Sequence, residues 1–172
     1  MKNIIKQTVR FVFSLSAFVL FFLMAANSAN AQNINISGEW KLVKEKSDLG
    51  ILPDSVIAQN IKIAQNSEIF ITRNFVKPSG KTSYSEKLTF DGASFASAPD
   101  AGIKRIAKIQ WSPDKNRLIE DASMSGTSDG EAYEFKSTET WSLSADKKQL
   151  FIDRVITDED EPIKNHLVYQ KQ

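Results

Sequence analysis

Residues 131–157 read EAYEFKSTETWSLSADKKQLFIDRVIT, and this stretch gives the clearest indication of the fold class. Apolar and polar side chains alternate on both sides of a short polar segment at residues 144–148. Tyr133, Phe135 and Trp141 share one face, because successive side chains of a β-strand point to opposite faces. Two alternating runs joined by a short polar link predict an antiparallel β-hairpin.

The same pattern continues on both sides of this hairpin. Turn residues interrupt the alternating runs about every eight to twelve positions, which is typical of all-β folds. A loop at residues 47–55 contains Gly50 and Pro53, and we expect it to form one helical turn. Asp91-Gly92 predicts a two-residue hairpin, because both residue types tolerate positive φ. The predicted strands, about ten at this spacing, are residues 38–46, 56–65, 69–76, 83–90, 93–98, 103–111, 117–125, 131–143, 149–157 and 163–169.

The links between these strands are short, which implies antiparallel pairing of neighbours. An antiparallel meander of about ten strands has two exposed edges unless it closes, and a twisted sheet of that size tends to curl. We therefore expect an all-β, up-and-down meander closed into a barrel. A curved open sheet or a two-sheet sandwich is the alternative.

A segment of different character precedes the strands. Three basic residues and no acid occur in the first ten positions, an apolar block follows at residues 11–26, and small residues end in an A-x-A pattern at Ala31. This is the layout of a secretory signal peptide. The block is shorter than the roughly 20 residues that a membrane-spanning helix needs. We expect a signal-peptide helix at residues 1–31, cleaved after Ala31, and a secreted or periplasmic domain at residues 32–172 that meets a membrane only during export.

Composition excludes several classes of protein. The net charge is +1, and removing the basic leader leaves the domain at −2, so we expect no nucleic-acid partner. The absence of Cys excludes disulfides, zinc-thiolate sites, thiol nucleophiles and a lipid-modified cysteine. The single histidine, His166, excludes a two-histidine metal site within one chain and falls on the predicted solvent face.

Sequence motifs of known chemistry are also absent. The chain contains no G-x-S-x-G, phosphate loop or zinc-ligand spacing. The acidic run at residues 158–161 lacks the spaced ligands of a calcium loop, and we expect a solvated hairpin tip there. We therefore expect no enzymatic activity, no metal site and no cofactor.

Six predicted strands each place one charge on their apolar face, with three arginines and three glutamates in all. Arginine suits an anionic ligand group, because its planar fork donates two parallel hydrogen bonds. The equal numbers of each sign instead favour internal pairing, since buried charges are costly unless paired; such a network can also border a ligand cavity. The candidate ligand-binding residues are these six charges and two tyrosines: Arg73, Tyr84, Glu86, Arg105, Glu120, Tyr133, Glu139 and Arg154.

Three phrases carry a resemblance to a known family: GEWKLV at residues 38–43, SYSEKLTFDG at 83–92 and TETWSLSADKKQL at 138–150. They resemble small secreted bacterial lipocalin-like proteins of the calycin superfamily, whose function is unassigned. The opening phrase and the ending LVYQKQ are also similar to those of fatty-acid-binding proteins.

The resemblance implies a ligand-binding barrel in which Gly38 and Trp40 are structural. It implies that Trp40 packs over the closed barrel end, with Lys171 or Arg154 as its basic partner. Two departures from the fatty-acid-binding proteins limit what is carried over. Residues 47–55 are too few for their two-helix lid, and Leu167 stands where they have the arginine of a carboxylate-binding triad.

The sequence thus supports two hypotheses about function. The first is a secreted lipocalin-like protein that binds a small, partly apolar ligand, either neutral or anionic. The second is a solid-cored structural or interaction domain of the bacterial envelope that has no small-molecule ligand. The identity of a ligand, the closure of the barrel and the oligomeric state are left open by the sequence.

Overall fold

Consecutive strands pair antiparallel along the domain, with one exception described below. The computed structural model describes residues 33–128, 130–157 and 161–172. Two short 3-10 helices, Lys44–Lys46 and Asp54–Val56, lie between the first two strands. The strands within the described ranges are β1 (Gly38–Leu42), β2 (Asn60–Gln65), β3 (Glu68–Lys77), β4 (Gly80–Thr89), β5 (Phe95–Asp100), β6 (Ile103–Trp111), β7 (Leu118–Ser128), β8 (Glu131–Leu143), β9 (Gln149–Thr157) and β10 (Ile163–Lys171).

These strands form a single sheet in the order β4-β3-β2-β1-β10-β9-β8-β7-β6-β5. The first strand pairs with the last, so the meander curls back on itself into a nearly closed barrel. This confirms the predicted all-β, up-and-down architecture and excludes the two-sheet sandwich. The two edges of the sheet are β4 and β5, and the barrel closes between them through side chains that join the β3–β4 side of this gap to the β5–β6 side. The bridging pairs are Lys77–Asp100, Glu86–Arg105 and Phe90–Trp111.

The predicted hairpin at Asp91-Gly92 is wrong, because β4 and β5 do not hydrogen-bond to each other. Gly92 does turn the chain at φ +78, and the Asp91 carboxylate accepts a hydrogen bond from the Ala93 amide at 3.0 Å. However, β5 begins only at Phe95, and Glu86 of β4 and Phe90 after it contact Arg105 and Trp111 of β6. The edges therefore diverge beyond the turn.

The link between β1 and β2 also differs from the prediction. The first strand ends at Leu42 and not at residue 46, and the second begins at Asn60 and not at residue 56. Ser47 explains the early end, because its hydroxyl donates to the Val43 carbonyl and accepts from the Val168 amide, both at 2.9 Å. These bonds turn the chain onto β10. We call residues 43–59 the cap segment.

One half of the barrel interior is filled with side chains. The alternation of each strand sends its apolar residues inward, where they pack into a continuous core. Trp141 lies at the centre of this packing and is fully buried. The other fully buried members of this half include Ile69, Ile71, Leu88, Ile109, Leu118 and Leu150. We call it the closed half.

Gly38 and Trp40 lie at the end of the closed half. The Trp40 ring is buried, its Nε1 donates to the Ile36 carbonyl at 3.0 Å, and Lys171 Nζ lies 5.3 Å from the ring centroid. Lys171 and not Arg154 is therefore the cation over this ring. Gly38 has φ +146, and a Cβ there would lie 3.0 Å from Lys171 Cε, so a side chain is disfavoured on both counts.

The predicted signal peptide at residues 1–31 lies outside the described residues, as does most of the acidic run, Asp158 to Asp160. Within the described ranges, no helix has the length and apolar character needed to cross a membrane.

Candidate functional site

The half of the barrel opposite Trp40 contains a cavity of about 480 Å³. Its walls come from the same inward-facing alternation that fills the closed half, and strands β3 to β10 each contribute between one and four residues. The lining is largely apolar, which is typical of small-molecule sites, and its volume falls in their usual range of roughly 300–1,000 Å³. The apolar strand residues of the wall are Phe75, Ile103, Met124, Phe135, Ile156 and Ile163. We call this part of the barrel the open half.

The cap segment completes the wall with Leu52, Ser55 and Val56. Strand β10 holds it in place, since Asp48 and His166 exchange backbone hydrogen bonds of 2.7 and 2.9 Å. Sequence analysis did not identify these lining residues, because a loop has no period from which an inward face can be read.

The six charges predicted on apolar faces meet between the two halves and form one network. Arg73 Nη2 lies 2.7 Å from Glu120 Oε2 and 3.4 Å from Glu139 Oε2. Arg105 Nη1 lies 2.7 Å from Glu86 Oε2. The remaining ion pairs are Arg73–Glu86, Arg105–Glu120 and Arg154–Glu139. Internal pairing thus accounts for all six charges, and the network forms the floor of the cavity.

Burial and mutual attraction act against each other in this network. Burial alone would raise the pKa of Glu139, but Arg154, Arg73 and Arg105 lower it to about 2. For Glu86 burial dominates and raises the pKa, with Glu120 adding to the effect. The pKa of Arg73 is raised because nearby acids, Glu120 first, outweigh the effect of burial. Glu139 is therefore ionised at all ordinary pH values and fixes the charge of the floor.

Arg154 differs from the other two arginines of the network. Its Nε donates to Glu139 Oε1 at 2.7 Å, and its side chain is 14% exposed, against 4% for Arg73 and 6% for Arg105. Among the described residues, its terminal nitrogens have no hydrogen-bond partner, and the side chain lines the cavity. Arg154 therefore offers unused N–H donors to whatever occupies the cavity.

Two pairs of aromatic rings line the cavity. Phe75 and Tyr84 stack with centroids 6.1 Å apart and planes 8° apart. Tyr133 and Phe135 stack at 6.2 Å and 14°. Tyr133 lies over Gly126, where a Cβ would come within 2.7 Å of the tyrosine oxygen. The absence of a side chain at Gly126 therefore leaves the space that the Tyr133 ring occupies.

Tyr84 also contacts the floor. Its hydroxyl oxygen accepts a hydrogen bond from Arg73 Nη1 at 3.2 Å. Burial raises the pKa of Tyr84, so its hydroxyl keeps its proton at neutral pH.

The structure therefore divides the sequence-predicted residues into three groups. Arg73, Tyr84, Arg105, Tyr133, Glu139 and Arg154 line the cavity. Glu86 and Glu120 pair with the arginines and do not line it. Gly38 and Trp40 lie at the far end of the barrel. In the described part of the chain, no group of three or more His, Asp or Glu side chains is placed to hold a metal ion.

Comparisons with known proteins agree with this architecture. No protein-family model matches the chain, and no curated protein matches its sequence. Among solved structures, the chain is similar to the zebrafish ileal bile acid-binding protein, crystallised in complex with cholic acid. The TM-score is 0.51 at 15% sequence identity, over 79% of this chain and 98% of the zebrafish chain. At this identity the likeness concerns the fold, which is a calycin-like barrel.

Proposed function

We propose that this protein binds a small, partly apolar, anionic molecule in the open half of its barrel and has no enzymatic activity. The observation that carries the proposal is the cavity of about 480 Å³, whose apolar wall meets a floor where no described residue accepts from the terminal donors of Arg154. An anionic group at Arg154 gains charge-assisted hydrogen bonds, while the wall removes apolar surface from water.

The fold neighbour supports this proposal, because the zebrafish protein with the same barrel fold was crystallised with cholic acid. The alternative hypothesis, a solid-cored domain without a small-molecule ligand, fits the closed half of the barrel. It does not account for a cavity lined by an arginine whose terminal donors are not used by any residue that the structure describes.

Ligand binding can be tested with 1-anilinonaphthalene-8-sulfonate, a fluorescent anion that brightens in apolar sites. We expect saturable, one-to-one binding to protein purified after expression of the full chain, and displacement of the dye by tetradecanoate. Binding that neither saturates nor responds to tetradecanoate contradicts the proposal.

Arg154→Gln tests the role of the floor in the same assay. It removes the unused donors, and we expect affinity to fall about tenfold or more, the size of one charge-assisted interaction. Arg117→Gln is the matched control, since it removes the same charge from an exposed turn between β6 and β7. Arg154→Lys keeps the charge but loses the fork, and we expect an intermediate affinity. Circular dichroism identifies any variant that fails to fold.

We also propose that the protein is a secreted or periplasmic, lipocalin-like protein of bacterial type, exported by the signal peptide and cleaved after Ala31. The contacts of the residues that follow this boundary are compatible with such cleavage. Gln65 accepts a hydrogen bond from the Ile36 amide at 3.0 Å and donates one to the Ile34 carbonyl at 2.8 Å. Cleavage after Ala31 leaves both intact. Intact-mass measurement of the exported protein should give residues 32–172, and a mass that includes the leader contradicts cleavage.

A further inference from the structure

We infer that the ligand is a rigid, planar aromatic acid and not a flexible acyl chain, held between the two aromatic pairs with its anionic group at Arg154. This inference rests on the proposed function and specifies its ligand class. It depends on the position of the aromatic pairs around the barrel, on the chemistry of the wall between them and on the position of the anchor.

The two aromatic pairs lie on opposite walls of the cavity. Phe75 belongs to β3 and Tyr84 to β4, whereas Tyr133 and Phe135 belong to β8. Around the ring of strands, four strands separate β3 from β8 on either side. Because β3 and β8 are diametrically opposed, a molecule in the cavity lies between the Phe75–Tyr84 pair and the Tyr133–Phe135 pair.

The strand walls between the aromatic pairs carry aliphatic side chains, and on the β4–β5 side also the polar Thr82, Ser83 and Asp100. Ile156 and Ile163 lie on one side, and Ile103 and Met124 lie on the other. The cavity therefore presents rings on two opposing sides and branched or flexible side chains on the remaining two. This arrangement favours a ligand with two flat faces and apolar edges.

A planar π-system gains more from this arrangement than a saturated chain of equal size. Aromatic pairs gain free energy beyond the area that they bury. A rigid ligand also loses little conformational entropy on binding, while each immobilised rotor of an acyl chain adds to the cost. Both effects favour the planar ligand, and together they predict that it binds more tightly than a saturated chain, by about tenfold or more.

The anchor sets the orientation of this ligand. Ser137 and Arg154 belong to the cavity wall on neighbouring strands β8 and β9, and Arg154 borders the network floor. Arg73 is already engaged by three carboxylates and lies over the rings of Tyr84 and Trp141 at 5.8 and 5.3 Å. The acid group therefore binds at Arg154, and the rings of the ligand extend from the floor into the space between the two aromatic pairs.

Calorimetry with two acids of nearly equal size tests this inference. Anthracene-9-carboxylate is planar and tetradecanoate is flexible, and each carries one carboxylate. We expect saturable binding of both to the protein expressed from the full chain, with the aromatic acid about tenfold or more tighter. Equal affinity, or a preference for tetradecanoate, overturns this inference and leaves the proposed function standing. If neither acid binds saturably, the proposed function falls, and this inference falls with it.

A variant separates aromatic contact from general wall packing. Phe135→Leu keeps the wall apolar but removes one ring, and we expect it to weaken the aromatic acid about three- to tenfold while changing tetradecanoate less than twofold. Met124→Leu alters the same cavity next to Phe135 but removes no ring, and both affinities should stay within twofold. An equal loss of affinity for the two acids in Phe135→Leu would show that the ring contributes only apolar contact area, which overturns the inference.

Discussion

Arg73 and Arg154 show how neighbours determine what one residue type does. Arg73 lies within 4 Å of three carboxylates and is almost fully buried. Arg154 contacts one carboxylate through Nε and lines the cavity. Alternation along the strands predicted that both side chains point inward. It could not distinguish them, because the number of acids around each arginine depends on how five different strands meet.

The charge of Glu139 makes the free energy of unfolding depend on pH in the acidic range. The neighbouring arginines lower its pKa to about 2 in the folded protein, against 4.5 for an ordinary glutamate. The charge of Glu139 adds about 3 kcal/mol to the free energy of unfolding. This contribution is complete above pH 4.5 and is lost as the pH falls towards 2. Glu86 acts in the opposite direction, since its raised pKa means that its contribution is lost as the pH rises.

Glu139→Gln should therefore flatten the fall in unfolding free energy between pH 5 and pH 2.5, as measured by urea denaturation at each pH. Glu134→Gln, an exposed position on the same strand, is the control and should keep the slope of the unmodified protein. A Glu139→Gln slope as steep as that of the control would contradict a charged Glu139 in the floor.

The hairpins formed by β6 with β7 and by β8 with β9 are elements that the sequence predicted well. Residues 112–117 and 144–149 share a Ser-x-Asp-Lys pattern, and in both the serine hydroxyl lies 2.6 Å from the aspartate two residues later. The lysines, Lys115 and Lys147, adopt φ values of +58 and +57. Local hydrogen bonds decide such turns, so local sequence is sufficient to predict them.

The elements that the sequence missed depend on distant contacts. Asp91-Gly92 has the composition of a tight hairpin, but Glu86 of β4 and Phe90, directly after β4, contact partners on β6. The cap segment takes its course from bonds to β10, more than a hundred positions later in the chain. Neither contact has a signal within the local sequence, which explains why the strand ends at residues 46 and 56 were misplaced.

The cap segment offers a test of that anchoring. Gly50 has φ +57, and a Cβ there would lie 2.9 Å from the Lys164 carbonyl oxygen. Gly102 has φ +74 and open space around it. Gly102→Ala should lower the free energy of unfolding by about 1 kcal/mol, because alanine is strained in a left-handed backbone conformation. Gly50→Ala should lower the free energy of unfolding by about 1–3 kcal/mol more than that, because the backbone of Lys164 must move to admit the added methyl group. Urea unfolding at 25 °C compares the two, and equal losses would contradict close packing of the cap segment on β10.

At the level of the whole molecule, the charged network divides the barrel. The closed half is packed with fully buried apolar side chains, and the open half holds the cavity. Buried ion networks add little net stability compared with apolar packing, whereas removing one partner is costly. The network therefore acts as a rigid floor that stops the core from extending into the cavity. The inward charges were predictable from alternation, but the division of the barrel required the pairing of six strands.

The most direct test of the central claim is a two-dimensional NMR titration of isotope-labelled protein with 1-anilinonaphthalene-8-sulfonate. The account predicts saturable shifts concentrated on the open half, including Phe75 and Phe135, with the Trp40 indole unchanged at the closed end. Shifts confined to exposed outer residues such as Phe70 and Val155, with the cavity wall unaffected, would contradict ligand binding inside the barrel.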